Sequence, residues 1–190
     1  MNDESYLIDQ SLQGDSGAFG QLVQRHQDRL YNALVHLAGD RVEAEDIAQE
    51  AFVQAYLKLH TFQRQSAFYT WLYRIAFNNA ISRKRRKRVE TSIDQSREQS
   101  GLEPVDAGDA PDDRLLREEL ALQVREGLSL LSEEHRSILV LREIEGCDYD
   151  AIAQILEINI GTVRSRLHRA RMQLREKLTS ICGRDEGERS

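Results

Sequence analysis

Between residues 148 and 178 two apolar patterns of helical period stand three residues apart, and that arrangement constrains the chain more than any other feature. Asp148 offers an N-cap, and Ile152, Ala153, Ile155 and Leu156 line a short helix. The turn Glu157-Ile158-Asn159 carries one apolar residue, Ile158, and a second helix opens near Gly161 and Thr162. Val163, Leu167, Ala170, Leu174 and Leu178 then recur at i, i+4, i+7, i+11 and i+15, so they share a face that packs inward. Arg164, Ser165, His168, Arg169, Met172 and Arg175 lie away from that face, the first four in the N-terminal turns. The pattern is that of a helix-turn-helix, whose second helix enters the major groove by those turns. Arginine pairs bidentately with guanine O6 and N7, and serine bonds to bases or phosphates. Arg142, one helix earlier, is a candidate phosphate or base contact. A bundle helix with solvated arginines is the bland alternative. The coincidence of register, turn residue and arginine clustering weighs against it.

The rest of the chain is helical too. It has only two prolines, and Leu, Ala, Glu, Gln and Arg predominate, so an all-α fold without strands is expected. A short helix over 3–13 closes at Gly14. Ser16 is read as the N-cap of a longer helix through Phe19, Leu22, Leu30, Leu34 and Leu37, ended by Gly39. Asp40 caps a third through Ile47, Ala51, Phe52 and Ala55. Ser66 is read as the cap of a fourth, through Phe68, Leu72 and Ile75, that runs into the basic cluster 83–88. From 91 to 112 the apolar periodicity gives way to the acidic, polar composition of a flexible linker. Helices resume with Leu120, Val124 and Leu128, then from Ser132 to near Gly146. Two small helical domains are therefore expected, at 1–90 and 113–182, followed by a polar tail at 183–190.

A net charge of −6 opposes a nucleic-acid partner only if it is evenly spread. Residues 61–90 hold eight Lys and Arg against one Glu, and 161–183 hold six against one, within an otherwise acidic chain. Local positive patches under an opposing overall charge favour specific docking over general polyanion binding. The chain alone is expected to bind DNA poorly.

Six of the twelve aromatic residues fall between 62 and 77. With Phe68, Leu72 and Ile75 on the buried stripe, Tyr69, Tyr73 and Trp71 are read as partly exposed beside the basic run, where rings hold unpaired bases. The alternative, every ring in the core, weighs equally on this stretch alone. The polar loop 63–67 is a candidate pocket for an extruded base.

Other chemistries find little support. Cys147 and Cys182 are 35 residues apart without ligand-spaced partners, so neither a zinc site nor a disulfide framework is expected, and no metal or cofactor is implied. Gly14-Asp15-Ser16-Gly17 copies the string around a serine-protease nucleophile, but a helix break with an N-cap explains it. His26, His36 and His60 are read as surface or packing residues, and no catalytic residue is assigned. The acidic start and the lack of a long apolar run predict a cytoplasmic protein without membrane insertion.

The segments DIAQEAFVQAY (46–56), SAFYTWLYRIAFNNA (66–80) and GTVRSRLHRAR (161–171) together resemble the extracytoplasmic-function sigma factors of bacteria, the group 4 members of the sigma-70 family. The resemblance implies an alternative sigma factor that binds the beta and beta-prime subunits of core RNA polymerase and directs promoter-specific initiation. It implies that Asp46, Gln49, Glu50 and Phe52 dock on the polymerase clamp. It implies that Phe62, Gln63, Arg64, Gln65, Ser66, Ala67 and Asn78 hold a flipped base of the melted minus-10 segment, with Tyr69, Trp71, Tyr73, Arg83 and Lys84 beside it. Arg142, Thr162, Arg164, Ser165, Arg166, His168, Arg169 and Arg171 match the reader of duplex minus-35 DNA. The linker is implied to thread the polymerase channel, and an anti-sigma factor is an implied partner. Gln63-Arg64-Gln65 departs from the glycine-acidic pair frequent in relatives, which leaves the captured base undefined. The rival reading is a stand-alone helix-turn-helix regulator with an N-terminal effector domain.

Overall fold

The computed structural model describes residues 3–91 and 111–188, with side chains over 3–86 and 119–183. Its elements are α1 (Asp3–Leu12), α2 (Ser16–Ala38), α3 (Arg41–Lys58), a 3-10 turn (Leu59–Thr61), α4 (Phe68–Thr91), α5 (Pro111–Ser129), α6 (Glu133–Leu139), a π-helical turn (Val140–Ile144), α7 (Tyr149–Leu156) and α8 (Ile160–Glu188). Among the described residues there is no strand. The chain divides into two compact units, one built on α1–α4 and the other on α5–α8.

In the first unit α2 packs on α1 and α3, and α3 on α4. The caps follow from the sequence with two corrections. Asp15, not Ser16, caps α2: its carboxylate accepts from the N–H of Gly17 at 2.8 Å and of Ala18 at 3.1 Å. An ionised acceptor makes a stronger bond to these amides than a hydroxyl. The protease-like string is thus a helix start. Ala67, not Ser66, holds the cap position of α4, its carbonyl accepting from Trp71 N at 3.2 Å. Gly39 closes α2 at φ 81°, and Asp40 caps α3 through Glu43 N at 2.7 Å. Leu22, Leu30, Leu34, Ala44, Ala51, Ala55, Leu72 and Ala76 are wholly buried between these helices.

In the second unit α8 packs on α5 and α6. Pro111 opens α5 inside the stretch read as linker, its fixed φ suiting a first helical position. Residues 92–110 of that linker lie outside the described residues. Val163 and Ala170 are wholly buried and Leu167 nearly so, whereas Leu120 and Val124 of α5 are exposed, leaving Leu128 buried on that helix. The α8 helix continues through the segment read as a polar tail, to Glu188.

Arg136 is buried at the C-terminus of α5, where its guanidinium donates to the carbonyls of Leu128 (2.9 Å), Ser129 (2.8 Å) and Leu131 (3.3 Å). These carbonyls lie in the last turn of α5 and the turn that follows it, and Leu128 O also accepts from Leu131 N at 3.2 Å. Burial lowers its pKa, and Glu133 opposes that shift. A π-helical turn follows, closed by Gly146 at φ 66°.

Candidate nucleic-acid interfaces

The N-terminal turns of α8 are set by three local bonds. Asn159 caps the helix, accepting from Thr162 N at 2.8 Å and Thr162 Oγ1 at 3.0 Å. Asp148 caps α7 through Ala151 N at 2.8 Å. Between the two helices Glu157 takes a left-handed φ of 54°, which turns the chain sharply. With Val163, Leu167 and Ala170 buried behind them, Arg164, Ser165, His168 and Arg169 are exposed together on the opposite side. Ser165 Oγ donates to Thr162 O at 3.2 Å.

The remaining candidates in this unit are held by the fold. Arg166 pairs with Glu134 at 3.1 Å and is only 22% exposed. Arg171 bonds Glu143 Oε1 from Nη2 at 2.6 Å and Nε at 2.9 Å. Arg142 donates to Cys147 O at 2.9 Å and lies 5.3 Å over the Tyr149 ring. Thr162 is committed to the cap.

In the first unit the expected exposure of Tyr69 and Tyr73 is corrected: they are 6% and 1% exposed. The α4 helix is covered by both α3 and α2, so its buried arc widens from Phe68, Leu72 and Ala76 to their neighbours. Arg29 of α2 lies 4.0 Å over the Tyr69 ring, and His26 packs 5.7 Å from it. Ile75 is only half-buried. Trp71 and Phe62 form a half-buried pair 5.2 Å apart, backed by Phe68 at 5.8 Å from each. That pair adjoins the exposed loop residues Gln63, Arg64, Gln65 and Ala67, with Ser66 half-buried. Asn78 is exposed, two turns beyond Trp71 and on the same helical face.

The four α3 candidates fall into two groups. Asp46 and Glu50 pair with Arg83 of α4, at 3.1 and 3.3 Å. The bonds to these carboxylates, Asp46 foremost, raise the Arg83 pKa against partial burial. Lys84 is half-buried next to it. Gln49 and the largely buried Phe52 instead line a groove of about 760 Å³ between α2 and α3. Tyr31 and the exposed Val53 line it as well. Sequence reasoning missed both, although an apolar residue off the buried register, as Val53 is, was the available signal.

One helical unit thus carries an arginine-faced helix-turn-helix, and the other an aromatic pair beside a short polar loop. Residues 22–90 match the family model for sigma-70 region 2, and residues 121–174 that for sigma-70, region 4. RNA polymerase sigma-H factor of Pseudomonas aeruginosa is 37% identical over 183 residues, spanning 94% of this chain and 95% of that protein. ECF RNA polymerase sigma factor SigW of Bacillus subtilis is 36% identical over 181 residues, spanning 92% and 96%. Among solved structures, the sigma factor RpoE in complex with the anti-sigma factor NepR from Bartonella quintana matches with a TM-score of 0.70 and 28% identity, covering 85% of this chain and 96% of that one.

The chain belongs to the sigma-70 family, in its extracytoplasmic-function group. It is an alternative sigma factor that directs transcription. These relatives are sigma factors, a non-enzymatic family, and they do not favour the stand-alone regulator. Among the described residues no helix is long and apolar enough to cross a membrane.

Proposed function

We propose that this sigma factor works in the cytoplasm, joining the beta and beta-prime subunits of core RNA polymerase and reading a promoter at two places with its two units. Residues 1–90 and 113–182 act as the two domains, tethered by the acidic 91–112 stretch. Arg164, Ser165, His168 and Arg169 read minus-35 base edges in the major groove, while Arg142, Arg166, Arg171 and Thr162 brace the helix-turn-helix and meet the phosphate backbone at its rim. In the first unit Phe62 and Trp71 offer a stacking surface at the mouth of loop 63–67, and Asn78 supplies an amide to a base or sugar of the melted minus-10 strand. The α2–α3 groove with Gln49 and Phe52 receives the polymerase, aided by the acidic groups Asp46 and Glu50, with which Arg83 and Lys84 share a flank.

One observation supports this reading most: the joint exposure of Arg164, Ser165, His168 and Arg169 on the first turns of α8, with Val163, Leu167 and Ala170 buried behind them. We also propose that an anti-sigma protein holds the factor inactive, by analogy with the RpoE–NepR complex. Run-off transcription with purified core polymerase on a promoter library tests the function. Specific transcripts are expected only with the protein present. Equal output without it, or tight operator binding by the chain alone, contradicts the reading.

A further inference from the structure

The loop 63–67 is not held by its own unit's central helices alone. Helix α1 packs against the 3-10 turn Leu59–Thr61 that leads into it. From that position the α1 residue Asp9 accepts a hydrogen bond from the Arg64 guanidinium, across 55 positions of sequence. The α1 helix lies outside the 22–90 segment that matches the region 2 model, so this tie joins the loop to a part of the chain beyond that match.

Arg64 also has φ 57°, one of two positive values among the described non-glycine residues. Left-handed backbone suits glycine or asparagine, and an arginine there is kept where its surroundings over-determine it. Its side chain is 44% exposed and that of Asp9 51%, so the pair adds little to stability. What it fixes is direction. With the Arg64 side chain anchored on α1, the neighbouring Gln63 and Gln65 are presented from a backbone of defined geometry.

We infer that Arg64 is a positioning residue, and that Asp9, acting through it, is a determinant of which base the loop accepts. The α1 helix is thereby part of the promoter-reading apparatus. This rests on the reading of 63–67 as a base-capturing loop.

The test uses full-length protein with core polymerase in run-off transcription from a library randomised across the minus-10 segment. Asp9→Asn is expected to flatten the preference at the captured position by about two- to five-fold, the range of a half-exposed ion pair. The minus-35 preference and the thermal midpoint stay as in the parent. Asp9→Glu retains the preference, and the exchanged pair Asp9→Arg with Arg64→Asp restores it in part, which a merely structural contact does not require. If Gln63→Ala and Gln65→Ala alter the preference while Asp9→Asn leaves it intact, the inference is overturned. If Arg64→Ala weakens all sequences alike, Arg64 grips the DNA backbone itself and the inference again fails. Should none of the loop variants affect preference, the base-capture reading falls first and takes this inference with it.

Discussion

Arg83 Nη1 donates to Asp46 Oδ2 at 3.1 Å, so the start of the basic run on α4 is pinned to the acidic face of α3. Its Nε reaches Glu50 at 3.3 Å, one turn further along the same helix. A cation shared by two carboxylates cannot at the same moment neutralise a phosphate. In the chain alone, part of the positive patch is therefore satisfied internally, which is one physical reason to expect poor DNA binding by the chain alone.

A double-mutant cycle of Arg83→Ala and Asp46→Ala in urea unfolding is expected to give a coupling of about 0.3–1 kcal/mol, the range for partly exposed pairs. Zero coupling means the contact contributes nothing to holding α4.

The arginines of α8 should separate by partner. Arg164→Ala and Arg169→Ala are each expected to cost about 1–3 kcal/mol of discrimination among minus-35 variants. Arg166→Ala and Arg171→Ala, which lose ion pairs to Glu134 and Glu143, weaken binding to all sequences alike. Transcription from a randomised upstream element measures both. A sequence-selective loss from Arg166→Ala contradicts the assignment.

His26 is buried against Phe68 and Tyr69, and burial lowers its pKa from 6.5, with Glu4 opposing and Arg25 and Arg29 reinforcing the shift. The unfolded chain therefore takes up the proton first as pH falls. Stability contributed by neutral His26 is intact above about pH 6.5 and declines as pH drops towards the lower folded value. The thermal midpoint of the first unit should fall over that interval, and His26→Gln should flatten the decline. An identical pH profile for the variant assigns the acid sensitivity to other groups.

Arg136 satisfies three carbonyls in a buried site. Arg136→Met should cost about 2–3 kcal/mol in chemical unfolding of the second unit, since it takes the guanidinium donors from the carbonyls of Ser129 and Leu131 and leaves Leu128 O with only its bond from Leu131 N. A loss under about 0.5 kcal/mol shows that water replaces the guanidinium there.

Much of the architecture was legible because helical register is a local property. The apolar series from Val163 fixed the inner face of α8, and Gly39, Asp40 and Ser132 marked helix ends where they were expected. Tyr69 and Tyr73 were misread because single-helix periodicity assumes one covering partner, whereas α4 is covered on two sides. The burial of Arg136 and the tie between Asp9 and Arg64 depend on residues brought together by tertiary packing, which no spacing announces. The helix-turn-helix side chains were readable since the register that buries one face exposes the other. The α2–α3 groove was only half readable, because one of its walls comes from a different helix.

The two-point grip is tested most directly by profiling holoenzyme transcription on a library randomised in both promoter elements, for Arg169→Ala and Gln63→Ala separately. The account predicts that Arg169→Ala changes base preference only in the upstream element and Gln63→Ala only in the downstream one. Changes from both variants in the same element, or a profile untouched by either, contradict it.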